Sequence, residues 1–497
     1  MSLSDSTRAD IPMPTEAQVE RAIKLTYAQV MLGAVFGAST GGMFLVGFAM
    51  GLGADNVLLG VMMAVPQFFV VFQFAGAYLV ERGLSRRKLT IWFASLTPIC
   101  WFLIAAIPFF GDRLPNDKAL ILLISVMALV TVCNQFAGSA RGSWVGELIP
   151  EARRGKFFGY AAMFGGIIGA GFAIAEGRFL DVIKHAGLGA FTALFLFGSL
   201  FGLAAALLHI PQPDCPLPGS GSRIPYIEVI RSTFRNKSFV TLAIVHAVTA
   251  LSGVAGPFWN AYLLRDIGLG YFGVGILNCV GTVAAVVSAP LWGKAVSKHG
   301  CRPILIISLF MLAPASLFWM PLAPGAGAAA YWWVPWANLL GGVGGSALGV
   351  SLSTMVYKAS RPEGRSIQFA MYGTFVTLVS APMPLLGGWL VTKLAATGYA
   401  VDLRLTFLLW SVFLLAAGVI ALWMEEADSV SVRILVFDRL PNWVGNRFAA
   451  SVAAPLGVIS GVFSRMQSLG NEANKANGAD GAGETPSDRT EDSQPRK

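Results

Sequence analysis

Few residues in this chain have side chains that could do chemistry inside the apolar stretches that dominate it, and each one interrupts such a stretch. Asn134, Arg141 and Trp144 are spaced by seven and then three positions, which puts them on one broad face if the helix continues. His246, Thr249, Ser252, Trp259 and Asn260 share a second stretch, with Asn278 in the next. Ser39 and Thr40 interrupt the first stretch, and Trp336, Asn338 and Ser346 a later one. This chemistry is binding rather than bond making. Arg141 could anchor an anionic group, although a cation near a helix end also serves to set topology. Trp144 lies nearest the membrane surface and reads first as an interfacial anchor. His246 is the only histidine well inside an apolar stretch and could titrate near neutrality, although a lone histidine there also serves as a packing residue. No Walker A phrase, nucleophile elbow or dinucleotide fingerprint stands in any loop, which argues against an enzyme. The five cysteines are scattered without a C-x-x-C pair or a neighbouring histidine cluster, so they read as packing residues, with no metal site and no cofactor.

A second group of residues is charged and repeated. Pro150-Glu151-x-Arg153-x-x-x-Phe157-x-x-Tyr160 returns as Pro362-Glu363-x-Arg365-x-x-x-Phe369-x-x-Tyr372, 212 positions later. A solenoid repeats every 20 to 50 residues or so, and a separation this long in an apolar chain points to two homologous membrane halves. Glu147, Glu151, Arg153 and Arg154 in one copy, and Glu363 and Arg365 in the other, would sit on facing rims. Glu81, Arg82, Lys298 and Arg302 occupy the neighbouring loops. Opposite charges so placed can pair when one side is shut and separate when it opens, which makes them gate candidates. The competing reading is that they only anchor helix ends.

The elements that must position both groups are membrane spans. The chain is 55% hydrophobic and 13% charged, against roughly 25% charged for a soluble domain. Twelve runs have the length of about 20 residues needed to cross a hydrocarbon core. They lie near Tyr27 to Met50, Val57 to Val80, Leu89 to Phe110, Ala119 to Ala140, Phe158 to Ala175 and Ala190 to His209, then Val240 to Leu264, Tyr271 to Trp292, Ile304 to Leu322, Tyr331 to Val356, Phe369 to Leu394 and Leu405 to Met424. The expected fold is an all-α integral membrane protein of twelve transmembrane helices in two six-helix pseudo-repeats. Lys and Arg gather in the loops after spans two, four, six, eight and ten, so both termini are expected in the cytoplasm and the chain in the cell (inner or plasma) membrane. That asymmetry, with attraction to anionic lipid, accounts for the net charge of +9 and leaves no case for nucleic acid. The charged first two dozen residues lack the core of a cleaved signal peptide.

The resulting division is a cytoplasmic segment 1–26, a first bundle 27–209, a central linker 210–237, a second bundle 238–425 and a tail 426–497. Tyr226, Val229, Ile230 and Phe234 predict a surface helix in the linker, and Trp443, Val444 and Phe448 another in the tail before a disordered end. Pro257, Pro382 and Pro384 predict kinks.

This pattern resembles the major facilitator superfamily over roughly residues 25 to 425. The phrase G-x-x-x-D-R-x-G-R-R that family carries after its second and eighth helices has counterparts in Gly76 to Gly83 and Gly293 to Arg302. The acid position there is Val80 or Ser297, and Glu81 falls one step late. Gly165, Gly166, Gly169 and Gly171 match part of a glycine-and-proline motif of the fifth helix and also suit close helix packing. The resemblance implies a carrier working by alternating access, with a cavity lined by the first and fourth helices of each half. Its candidates are Ser39, Thr40, Asn134, Arg141, Trp144, His246, Trp259, Asn260, Asn278, Trp336 and Asn338. The partners would be a small-molecule substrate, a coupling ion (proton or sodium) and membrane lipids, with the protein a monomer. No Asp or Glu stands mid-span, and Glu176 and Glu147 come nearest. Facilitated diffusion, exchange, and coupling through Glu147, Glu176 or His246 are therefore all open. The alternatives to a solute carrier are a lipid or amphiphile flippase of the same fold and a non-transporting scaffold or receptor.

Overall fold

The structure is a computed structural model, and it describes residues 14–81, 84–214, 231, 235–360, 365–396, 402–424 and 426. The expected linker and tail helices lie outside these residues.

Among the described residues every long apolar run is a helix and no strand occurs. Twelve helical spans are long and apolar enough to cross a membrane: Glu16–Gly51, Asn56–Val80, Arg86–Phe110, Asn116–Gly142, Phe157–Val182, Leu188–Leu207, Lys237–Asp266, Tyr271–His299, Cys301–Trp319, Gly327–Ala359, Met371–Ala396 and Arg404–Ala421. They are called spans one to twelve, the first six forming the first half. Their outward surface carries large apolar side chains at high exposure, among them Trp332 (79%) and Phe109 (78%). Such a surface is stable in hydrocarbon and not in water. Serines and threonines bond back to the carbonyl one turn earlier, as Thr26, Thr90 and Thr249 do, so their hydroxyls need no solvent.

Two helices run further than their hydropathy suggests. Span one starts at Glu16 because Thr15 and Gln18 form a reciprocal capping box, each side chain bonded to the other's backbone N–H. Span five continues seven residues past Ala175, to Val182, and so carries Glu176 inside the bundle. Three spans break. Span one breaks at Gly41, and Gly42 has φ +53°, a left-handed value favouring glycine. Span seven passes through a 3-10 turn before Pro257 and a π turn after it, and span eleven is interrupted between Ser380 and Met383, around Pro382.

Within the halves, spans one, three, four, five and six interlock, and spans eight, nine, ten and twelve do likewise. Between the halves the main packed pairs are five against eight and two against eleven. These pairs approach closely because glycines line them. A Cβ at Gly177 would lie 2.7 Å from the Tyr271 carbonyl oxygen, and one at Gly388 would collide with the Asn56 carbonyl.

The 212-residue repeat surfaces again in three dimensions. After span six, Asp214 accepts from Ser85 Oγ at 3.0 Å while Arg87 donates to the Ile210 carbonyl. After span twelve, Glu426 accepts from the backbone N–H groups of Cys301 and Arg302 while Arg302 donates to the Leu422 carbonyl at 2.6 Å. Asp214 and Glu426 stand 212 positions apart, as do Ile210 and Leu422. Each half thus ties the end of its last helix to the start of its third, with a carboxylate at a helix N-terminus.

Candidate functional site

One cavity lies within the first half. About 450 Å³ in volume, it is bordered by spans one, three, four and six and lined by Gln29, Thr97, Asn134, Arg141 and His209 among smaller residues. Span four places Asn134 and Arg141 on its cavity face, two turns apart, as the spacing predicted. Thr97 Oγ1 donates to Asn134 Oδ1 at 3.2 Å. Arg141 has no ion pair or hydrogen bond with any described residue. His209, just beyond span six, is 1% exposed. Burial, and then the neighbouring Arg141 charge, push its imidazole down to about 4, so it is neutral at physiological pH.

A second cavity, about 300 Å³, lies between the halves, against spans one, five and eight. Its walls are mostly small: Gly37, Gly41, Gly165, Gly166, Gly169 and Gly275, with Asn278, Cys279 and Thr282 supplying polarity. Asn278 Nδ2 donates to Asn260 Oδ1 at 3.0 Å, so these two candidates meet at the edge of this space.

The remaining cavity candidates line neither cavity. Ser39 and Thr40 are buried, the first donating to Glu176 and the second to the Phe36 carbonyl. Trp144 lines neither cavity and is no interfacial anchor. It is fully buried, and its Nε1 donates to the Pro213 carbonyl at 3.1 Å, because the chain after span six folds back over it. Trp259 stacks on Phe407 at 3.8 Å with Trp319 and Trp410 around it, an aromatic cluster internal to the second half. Asn338 gives its amide to the Leu277 carbonyl at 2.6 Å. Trp336 is 57% exposed beside Trp332 and Trp333, on an outward face at a helix end where an aromatic girdle belongs. His246 Nδ1 is 2.7 Å from the Tyr372 hydroxyl, which gives it a partner within its own half.

A seal joins the halves at the face opposite the basic loops. Gly270, the N-cap of span eight, offers no side chain, and Asp181 from span five supplies the cap. Its two oxygens accept from Tyr271 N and Phe272 N at 2.9 Å each. Arg265 Nη1 donates to Asn56 Oδ1 at 2.9 Å across the same seam. Deeper in, Ser380 bonds Gln67 and Gln73 bonds Thr374, which holds span two to span eleven.

Comparison with known proteins then becomes decisive. Residues 242–464 match the sequence profile of the Major Facilitator Superfamily, and the fold resembles that of solved transporters along most of the chain. In profile over those residues, and in fold, the chain is similar to the major facilitator superfamily. One similar structure is a bacterial homolog of the human lysosomal transporter Spinster, inward-facing and unoccupied, at TM-score 0.57 and 16% identity over 82% of this chain and 97% of that one. Another is the nucleoside transporter NupG, at TM-score 0.60 and 14% identity over 82% and 98%. A third is a POT family transporter in complex with a thioalcohol-conjugated peptide, at TM-score 0.59 and 17% identity over 85% and 96%. No curated protein matches the sequence. With twelve helices long and apolar enough to cross a membrane among its described residues, the chain is a multi-pass membrane protein whose profile and fold are similar to those of membrane transporters.

Of the gate candidates, Arg153 pairs with Glu16 at 3.0 Å and Glu20 at 2.6 Å, and Arg302 bonds the chain after span twelve. Both stay within their own halves. Lys298 is exposed. Arg82 and Glu363, and the side chains of Glu81, Glu147, Glu151, Arg154 and Arg365, lie outside the described residues. Sequence reasoning passed over Gln29, Thr97 and His209 in the first cavity and Asp181 in the seal. Gln29 carried a usable signal, an amide inside an apolar run, whereas Asp181 sits at a helix end where an acid is ordinary. Glu176 proves to be buried at 5% exposure, with Oε1 accepting from Ser39 at 2.5 Å and Oε2 without a partner among the described residues.

Proposed function

We propose that this protein carries a small organic solute across the cell (inner or plasma) membrane by alternating access between its six-helix halves, with both termini in the cytoplasm. The basic loops favour the cytoplasmic side for their face, and the state described is then closed outward and open inward. The observation that carries this reading is the location of the cross-half bonds. Asp181 with Tyr271 and Phe272, and Arg265 with Asn56, bind the halves at the outer face. At the inner face, spans four and ten do not form one of the main packed pairs among the described residues, and Arg153 and Arg302 are engaged within their own halves. A rocking motion would exchange these patterns.

In this reading the solute passes through the glycine-lined cavity between the halves, with Asn278, Asn260, Cys279 and Thr282 as contacts. The observed gate pairs release the inner rim, and unobserved cross-half pairs of Glu147, Glu151, Arg154, Glu363 and Arg365 close it in the other state. Glu176 is the favoured site for a coupling proton, because a buried carboxylate with one unpaired oxygen in a span is costly to hold charged. The carrier is proposed to work as a monomer.

The test is uptake by purified protein in proteoliposomes, paired with thiol labelling of Cys279 from each side. Labelling restricted to the inner side at rest, and slowed or redistributed by a transported solute, is the expected result. Equal labelling from both sides, insensitive to every solute taken up, would sink the alternating-access reading.

A further inference from the structure

The first-half cavity holds a charge with no partner among the described residues. Arg141 lies within span four, where a guanidinium is costly unless paired or solvated, yet no carboxylate lines the space and no described residue bonds to it. The groups around it are also unfinished. Gln29 is 7% exposed with Oε1 unpartnered, and His209 is 1% exposed with Nδ1 unpartnered. Asn134 spends its oxygen on Thr97, which leaves its Nδ2 without a partner among the described residues. The neutral His209 neither competes with Arg141 for an anion nor adds a second charge. The space therefore has one fixed positive charge, a fork of donors, at least one further amide donor, and acceptors on Gln29 and His209.

We infer that this cavity is a binding pocket for a small organic anion, whose carboxylate or phosphate sits on the Arg141 guanidinium while Asn134, Gln29 and His209 take hydroxyl or amide groups of the same molecule. A planar guanidinium matches either oxyanion with two parallel bonds, and such charge-assisted bonds are stronger than neutral ones. The volume of about 450 Å³ falls in the range of roughly 300 to 1,000 Å³ typical of small-molecule sites. The proposal rests on the carrier reading for its consequence, since it names the class of solute that would also pass through the glycine-lined cavity between the halves, but the binding itself is measurable apart from transport. Two sources share this chemistry, a soluble organic anion and the headgroup of an anionic lipid, and the experiment separates them.

Detergent-purified full-length protein is titrated calorimetrically with lactate, succinate, glycerol 3-phosphate and inorganic phosphate, and with the neutral counterparts lactamide, succinamide and glycerol. Native mass spectrometry compares retention of phosphatidylglycerol with phosphatidylcholine. The variants are Arg141→Gln, Arg141→Lys and Gln29→Ala. Arg141→Gln removes an unpaired charge, and a melting temperature at or above that of the parent certifies its fold; Arg141→Lys keeps the charge and is a second check should Arg141→Gln fail to purify. At least one anion, soluble or lipid, is expected to bind the parent at least tenfold more tightly than its neutral counterpart. Arg141→Gln is expected to lose at least tenfold in that affinity, with Arg141→Lys and Gln29→Ala intermediate. If the anion so identified is phosphatidylglycerol, the pocket is a headgroup site. Anion affinity unchanged in Arg141→Gln, neutral compounds binding as tightly as anions, or no binding in either arm overturns the proposal. Arg141-dependent binding of an anion that proteoliposomes do not take up would leave the pocket standing and refute only its part in transport.

Discussion

Asp181→Ala should unlock the outer face. The carboxylate accepts two backbone N–H bonds at 2.9 Å from the first turn of span eight, a helix whose own N-cap residue is glycine. Loss of a capping side chain costs about 0.5–2 kcal/mol, and because Asp181 is half-buried at a membrane surface the middle of that range, about 1 kcal/mol, is the appropriate figure. The bond crosses between halves, so the loss falls on the outward-closed state alone. A shift of about 1 kcal/mol changes the ratio of the two states about fivefold. The chain contains its own reporter, since Cys279 lines the inter-half cavity and is half-buried, whereas Cys100, Cys133 and Cys301 are buried. In a Cys215→Ser background, an impermeant maleimide applied from the outer side should modify Cys279 about fivefold faster in Asp181→Ala than in the parent. Asp181→Asn, which keeps one acceptor, should fall between them. An unchanged outer-side rate in a normally folded Asp181→Ala protein would refute the claim that this cap holds the face shut.

Further outcomes follow from the same geometry. Gly388→Val adds atoms where even a Cβ would strike the Asn56 carbonyl, so it should raise outer-side labelling of Cys279 at least as much as Asp181→Ala; labelling like the parent's would show that spans two and eleven separate freely. Glu176→Gln preserves shape and the Ser39 contact, so the protein should fold normally and keep exchange while losing accumulation driven by a pH gradient; undiminished accumulation would remove Glu176 from coupling. Trp259→Ala deletes the centre of the Phe407, Trp319 and Trp410 cluster and should destabilise the folded protein by about 3–5 kcal/mol in chemical denaturation, with anion affinity unaltered. Burial pushes the Glu426 carboxyl up, but its bonds to Lys358 and to the Arg302 and Cys301 N–H groups outweigh this and hold it below its ordinary 4.5. A depressed folded value stabilises above that pH and the gain disappears as pH falls through the folded value. The parent should therefore lose its melting advantage over Glu426→Gln below about pH 4.5, and a pH-independent difference would show that the contact contributes through packing alone.

The spans, the all-helical class and the duplicated organisation were readable because each depends on local or repeated properties of the chain. Apolar run length determines whether a segment can cross lipid, and the offset of 212 residues reappears physically in the Asp214 and Glu426 ties. The family resemblance followed from those features and holds. The candidate site was legible only in part. Asn134, Arg141 and Asn278 do line cavities, but Trp144, Trp259 and Asn338 are held by Pro213, Phe407 and Leu277, each distant in sequence. Glu176 reads as lying near the outer end of span five, whereas the helix runs on to Val182 and Ser39 of span one meets the carboxylate.

What the sequence determined by itself, then, was which segments enter the membrane and that they come in two sets, since burial of apolar length and the helical backbone bonds it requires are decided one segment at a time. Tertiary structure alone decided which face of each helix meets a cavity, which charge stays unpaired and which carboxylate closes the seam. A polar side chain is a ligand contact or a packing bond according to what stands within about 3 Å of it, and in this chain those neighbours come from other helices.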